Sequence, residues 1–71
     1  MKTTQADKIL RYLREYGSIT PLDALREFGC MRLGARIWDL RQSGHRIRRD
    51  MEAHVNKFGE KVHYARYTWE G

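Results

Sequence analysis

Apolar residues recur at helical spacing in three successive stretches of the chain, and a glycine ends each stretch. In the first, Ile9, Leu13 and Tyr16 repeat at i, i+4 and i+7, which is the period of one helix face. Thr4 precedes this stretch as a candidate N-cap. Gly17 supplies the left-handed residue on which helices commonly end. We therefore predict a first helix between Thr4 and Gly17.

The second stretch shows a clear start and end for a helix. Thr20 stands at the N-cap and Pro21 at the first helical position, where its missing N–H costs no hydrogen bond. Asp23 lies near the positive end of this helix, and Gly29 closes it. A very short strand centred on Ile19 precedes it. The predicted buried face consists of Leu22, Leu25 and Phe28, with Ala24 beside them.

The third stretch follows the second after a short turn. Leu33, Ile37 and Leu40 repeat at i, i+4 and i+7, and Gly44 stops this helix. Only the three residues 29–31 separate it from the second helix. Two helices joined by a short turn that contains glycine are typical of the helix-turn-helix arrangement.

After Gly44 the hydrophobic period changes from helical to alternating. Residues 45–55 and 61–69 are rich in β-branched and aromatic side chains, and Gly59 lies in the segment between them. This pattern predicts a β-hairpin. On the second strand we expect Ala65, Tyr67 and Trp69 to point inward and Val62, Tyr64 and Arg66 outward. The element order is then α-β-α-α-β-β in a single α+β domain over residues 1–71, a three-helix bundle followed by a C-terminal hairpin.

The positive charge of the chain is concentrated in residues 32–49. That segment holds six arginines and one aspartate, whereas the basic and acidic residues elsewhere cancel, so it carries the whole formal charge of +5. A basic cluster of this kind is the electrostatic footprint of a protein that binds a polyanion.

The third helix presents arginine on its outer side. With Leu33, Ile37 and Leu40 pointing inward, helical geometry places Arg32 and Arg36 outward near the helix N-terminus. Such a helix fits the major groove of DNA, where arginine pairs with guanine. The alternative is a solvated face on which Arg32, Arg36 and Asp39 pair with one another.

Two further residues of this helix are notable. Trp38 is expected to pack at the edge of the core rather than to stack on a base. Gly34 indicates the close approach of a backbone, from either DNA or the first helix, because glycine inside a helix costs about 1 kcal/mol against alanine.

The hairpin adds basic residues suited to the phosphate backbone. Its first strand begins with Arg46, Arg48 and Arg49, which suit contacts with phosphates. At its tip, Lys57 and Lys61 either contact the DNA backbone or the minor groove, or belong to a mobile charged loop. The complete set of predicted DNA-binding residues is Met31, Arg32, Ala35, Arg36, Asp39, Arg41, Gln42, Arg46, Arg48, Arg49, Lys57 and Lys61.

The residue pattern argues against catalysis and metal binding. His45, His54 and His63 are nine apart and form no HxxxH pair, and Cys30 is the only cysteine. No paired carboxylates suited to acid–base work are present. We expect no enzymatic activity, no cofactor and no metal. With no signal peptide or membrane span in the sequence, we expect a cytoplasmic location.

Residues 18–47, SITPLDALREFGCMRLGARIWDLRQSGHRI, together with the closing HYARYTW, resemble the winged helix-turn-helix domain of short proteins found in bacteriophages and prophages. The resemblance implies that the third helix is the recognition helix and residues 53–61 the wing. One departure is Trp38, where that family usually keeps a small or polar residue.

The expected function is sequence-specific binding of double-stranded DNA, as a phage or prophage transcriptional regulator or excision-type architectural factor. A homodimer on a two-fold DNA site is one option for its assembly, because a single monomer offers a small footprint. The alternative is an interaction module that inhibits a host enzyme or defence complex, since winged-helix domains also bind proteins. Its anchors would be Met31, Trp38, Tyr64 and Trp69. RNA binding is a third option.

Overall fold

The computed structural model describes residues 4–71. Three helices and three strands follow one another in the predicted order α-β-α-α-β-β. Their bounds are α1 Gln5–Tyr16, β1 Ser18–Ile19, α2 Pro21–Phe28, α3 Leu33–Gln42, β2 Ile47–Val55 and β3 Lys61–Trp69. The three strands form one antiparallel sheet in the order β1-β3-β2. The predicted α+β class is therefore confirmed.

The first two helices begin with the same hydrogen-bonded cap. In α1 the Asp7 amide donates to the Thr4 hydroxyl at 3.1 Å, and the Thr4 amide donates to the Asp7 carboxylate at 3.3 Å. Thr20 and Asp23 repeat this reciprocal pair at the start of α2, at 3.2 and 3.0 Å. Each pair satisfies two amides of the first helical turn that have no partner within the helix. The caps and helix starts predicted at Thr4 and Thr20 are confirmed.

The predicted buried face of α2 is wrong in two of its positions. Leu22 and Leu25 are 65% and 48% exposed, whereas Ala24 is fully buried and Phe28 half-buried. The Phe28 ring packs edge-on against Tyr12 of α1, with centroids 5.7 Å apart. This eight-residue helix thus meets the core through Ala24 and its last residue, Phe28. With Ala24 facing the core, both leucines lie on the side of the helix that faces outward.

The helix α3 is fixed by its apolar stripe. Leu33, Ile37 and Leu40 are buried as predicted, in one cluster with Ile9 and Leu13 of α1. In contrast, the expectation that Trp38 packs at the core edge is wrong, because its exposed fraction is 60%. Trp38 follows Ile37 by one residue, a rotation of about 100° that carries it past the buried stripe.

The turn between α2 and α3 has four residues, 29–32, rather than three, because α3 begins only at Leu33. Gly29 has φ +64°, the left-handed conformation that ends a helix. The Gly29 and Cys30 amides donate back to the carbonyls of Leu25 and Ala24, at 2.9 and 3.1 Å. These bonds stop α2 sharply and set the direction in which α3 leaves it.

The hairpin is longer than the wing expected from the resemblance. Its strands pair without interruption from Ile47–Trp69 at the root to Val55–Lys61 at the outer end, so residues 53–61 are only the outer part of the wing. At the root, Ile47 and Tyr67 are buried, and Ala65 and Trp69 pack against the core as predicted. Trp69 is therefore not the exposed anchor of the alternative hypothesis. The hairpin helps to give the molecule extents of 45 × 23 × 20 Å.

Candidate nucleic-acid interface

The first residues of α3 and the turn before it stand in solvent. Met31 is 85% exposed and Arg32, the N-cap residue, is exposed as well. Within residues 4–71 the Arg32 guanidinium forms no ion pair. Farther along the helix, Ala35 is half-buried and Gln42 is exposed. The outward position expected for Arg32 is thus present in the structure.

Arg36 and Asp39 form a pair on the surface of α3. Their side chains meet at 3.4 Å between guanidinium and carboxylate, and each is roughly 40% exposed, at 36% and 45%. The Arg36 Nε is buried and has no hydrogen-bond partner in the described part of the chain. The alternative of a self-paired helix surface therefore describes Arg36 and Asp39, but it leaves out Arg32.

Arg41 has a structural contact that the sequence does not reveal. Its Nε and Nη2 atoms donate to the carbonyl oxygen of Ile47 at 3.1 and 2.8 Å. This fork connects the last turn of α3 to the first residue of β2. Charged donors on a carbonyl are among the stronger hydrogen bonds, about 1.5–3 kcal/mol. Arg41 thus fixes the hairpin root relative to α3, a different task from the DNA contact predicted for it.

The arginines at the hairpin root lie on opposite faces of the sheet. Arg49 is exposed and sits directly opposite Tyr67, whose hydroxyl lies against α3 at Gly34. Because side chains alternate along a strand, Arg48 points to the other face. There it contacts Asp50 at 2.8 Å and Glu70 at 3.3 Å.

These carboxylates change the properties of Arg48. The hydrogen bond that Arg48 donates to Asp50, and then the charges of Asp50 and Glu70, raise the pKa of the Arg48 guanidinium above its usual value. Arg46 is exposed, and its backbone pairs with the chain end through Glu70 and Gly71. Of the three arginines, Arg49 is the one that shares the sheet face of Tyr67, which contacts α3 at Gly34.

A second ion pair covers the opposite face of the hairpin. Arg66 donates to the Glu52 carboxylate at 2.8 Å and to the Ser18 hydroxyl at 3.0 Å. The hydrogen bond from Arg66 lowers the pKa of Glu52. This cross-strand pair ties β2, β3 and β1 together and takes one more basic group out of the candidate interface.

The tip of the hairpin is a hydrogen-bonded turn. The Asn56 side-chain oxygen accepts from the amides of Phe58 and Glu60 at 2.9 and 3.0 Å. Lys57 lies beside Phe58, with its ammonium group 5.4 Å from the ring centroid, and Lys61 is exposed at the start of β3. Both predicted lysines of the wing are therefore presented to solvent near its outer end.

Gly34 is exposed in the first turn of α3, and the side chain packed nearest to it is Tyr67 of β3, not a residue of α1. A Cβ built on Gly34 would meet only the Tyr67 hydroxyl, at an ordinary contact distance of 3.5 Å. Packing within the described chain therefore leaves room for alanine here. Of the two explanations that the sequence left open, approach of the first helix is excluded.

An apolar groove of about 680 Å³ lies between α2, the following turn and the outer hairpin. Its walls include four substantially exposed apolar side chains, those of Leu22, Leu25, Met31 and Val62. Periodicity alone assigns Leu22 and Leu25 to the core, so the sequence does not predict this apolar surface.

The described residues contain neither a metal site nor a membrane span. Over residues 4–71, no three His, Cys, Asp or Glu side chains are grouped to hold a metal ion. No helix in that range has the length and apolar character needed to cross a bilayer.

Comparison with known proteins identifies the family. The family described as the winged helix-turn-helix domain matches residues 4–69, nearly the whole chain. Comparisons with curated proteins and with solved structures give no significant match. Winged helix-turn-helix domains are typically DNA-binding rather than catalytic, which agrees with the basic surface of α3. On the family match and the α-β-α-α-β-β fold, this chain belongs to the winged helix-turn-helix family.

Proposed function

We propose that this protein binds double-stranded DNA sequence-specifically, with the N-terminal half of α3 in the major groove. The carrying observation is that Arg32, at the start of a helix whose opposite stripe is buried in the core, is exposed and forms no ion pair within residues 4–71. The proposed role is that of a phage or prophage transcriptional regulator or excision-type architectural factor. The basic cluster in residues 32–49 supports the binding of DNA itself.

Arg36 also remains available to a base despite its pair with Asp39. A solvent-exposed pair of this kind contributes about 0.2–1 kcal/mol. A bidentate contact between arginine and guanine contributes about 1–3 kcal/mol of discrimination. Exchange of the Asp39 carboxylate for a guanine edge is therefore favourable. The movement of the guanidinium would also release the Arg36 Nε from a buried position in which it has no hydrogen-bond partner among the described residues.

The start of α3 suits a phosphate group. Whereas α1 and α2 begin with threonine–aspartate caps, the N-cap residue of α3, Arg32, makes no side-chain cap hydrogen bond within residues 4–71, and the first turn of α3 contains no acidic residue. Uncapped amides at a helix N-terminus bind phosphate oxygens well. A phosphate at this position would supplement Arg32 and fix the depth of the helix in the groove.

Arg49 and the wing lysines supply the remaining contacts. Arg49 shares the α3 face of the hairpin, and Lys57 and Lys61 stand near its outer end. We assign all three to the phosphate backbone, where they position the protein without determining the sequence bound.

The apolar groove supports a second candidate, a protein-interaction module. Leu22, Leu25, Met31 and Val62 expose apolar surface around one concavity, and such patches mark interaction sites. Selection of bound duplexes from a random DNA pool separates the two candidates. A pool in which no sequence is enriched would favour the second candidate.

The first prediction concerns Arg32. With a duplex enriched from the random pool, Arg32→Ala should weaken specific binding by about 1–3 kcal/mol, roughly 5- to 150-fold, because a base contact is lost. Fluorescence anisotropy titration measures the change. Arg11→Ala on the exposed side of α1 removes the same charge as a control. Equal losses in the two variants would show that only net charge matters and would contradict a base contact.

The second prediction compares Arg49 with Arg48. If about four to six phosphates are neutralised, log K should fall with log salt concentration at a slope of about −4 to −5. Arg49→Ala should reduce the magnitude of that slope by about 1 and weaken binding to all sequences alike. Arg48→Ala should change the slope less, because Arg48 faces away and pairs with Asp50 and Glu70. The reverse ranking would refute the assigned face.

The third prediction uses Gly34. Gly34→Ala should raise the free energy of unfolding by about 0.5–1 kcal/mol, since alanine is the better helix former and its Cβ fits against Tyr67. The same change should weaken binding to the enriched duplex by about 1–3 kcal/mol, as expected for a methyl group forced into a close-packed contact. Urea denaturation and anisotropy measure the two effects. A stabilised variant with unchanged affinity would place the DNA away from Gly34.

A further inference from the structure

We propose that Phe58 at the tip of the hairpin is an apolar wedge that enters the minor groove, partly unstacks a base step and bends the duplex. This inference rests on the proposed DNA binding and deepens its architectural alternative by naming the side chain that bends the duplex. Its starting observation is that Phe58 is 76% exposed, whereas the other phenylalanine, Phe28, packs on the core. Exposed phenylalanine is one of the side chains that proteins insert between base pairs in this way.

The turn beneath Phe58 is built to hold the ring outward. The Asn56 side chain accepts from the Phe58 amide, the Asn56 amide donates to the Glu60 carbonyl at 2.9 Å, and the Gly59 amide donates back to Asn56 at 3.0 Å. Gly59 has φ +78°, a backbone conformation that residues other than glycine rarely adopt. Because the backbone of the turn is already ordered, insertion of the ring requires little further ordering of the protein.

The charges around the ring favour DNA as its partner. Lys57 lies against the Phe58 ring, and the exposed Lys61 follows the turn at the start of β3, so the apolar tip has basic residues near it in the chain on both sides. The carboxylate of Glu60, the acidic residue of the turn, accepts a hydrogen bond from the side-chain Nδ2 of Asn56 at 3.4 Å. The lysines can therefore bind the phosphates on the rim of a groove while the ring enters it.

The length of the hairpin brings the tip within reach of a second groove. Each strand has nine residues, which span about 30 Å at roughly 3.3 Å per residue. Neighbouring grooves of a duplex are about 17 Å apart along the axis, half of one helical turn. A protein seated through α3 in the major groove can thus place Phe58 in the adjacent minor groove, as a continuation of the same interface.

The test measures bending separately from binding. Fluorescence energy transfer between dyes at the two ends of the enriched duplex should report a bend in the range of about 20–90° with the unmodified protein. Phe58→Ser should abolish the bend while still binding, and Phe58→Leu should retain most of it. Met51→Ser, also an exposed apolar side chain of the hairpin but far from the tip, is the matched control and should leave the bend unchanged.

A second readout locates the wedge. 2-Aminopurine placed at successive positions of the duplex should brighten at one base step, and Phe58→Ser should remove that signal, since unstacking relieves its quenching. If Phe58→Ser bends the duplex as much as the unmodified protein does, or if the unmodified protein binds without any bend, the wedge is overturned and DNA binding stays intact. Failure of the unmodified protein to bind any duplex would instead refute the DNA-binding proposal, and the wedge with it.

Discussion

The arrangement of the whole surface depends on the burial of one stripe of α3. Leu33, Ile37 and Leu40 are at most 5% exposed and pack with Ile9 and Leu13 of α1. Burial of three such side chains contributes roughly 1.5–3 kcal/mol each, which in a domain this small is a large share of the total stability. It fixes the rotation of α3 about its axis, so the outward position of Arg32 is a consequence of core packing.

The basic cluster is divided by its own ion pairs into groups with different tasks. Arg41 binds a backbone carbonyl and Arg48 binds two carboxylates, so these guanidinium groups shape the junction of α3 with the hairpin. Arg32 and Arg49 form no ion pair within residues 4–71, and both are exposed. The proposed interface thus uses only part of the charge that composition alone would assign to it.

Local chemistry made much of the fold predictable, and tertiary contacts account for what was missed. The caps at Thr4 and Thr20 and the alternating hairpin strands depend on neighbours in sequence, and these predictions are confirmed. Periodicity identifies an apolar stripe on α2 but not the side that meets the core, so it wrongly predicts Leu22 and Leu25 as buried. The Arg41 contact depends on where Ile47 returns after the Gly44 turn, which no spacing encodes.

The role of α3 as the DNA-contacting helix is tested most directly by NMR mapping of the backbone amides as the enriched duplex is added to the isotope-labelled protein. The largest shift changes are expected in residues 31–39 and in the hairpin tip at 56–61, with the exposed side of α1 unaffected. Largest changes in α2 and the apolar groove, with α3 unperturbed, would contradict the claim that α3 is the DNA-contacting helix.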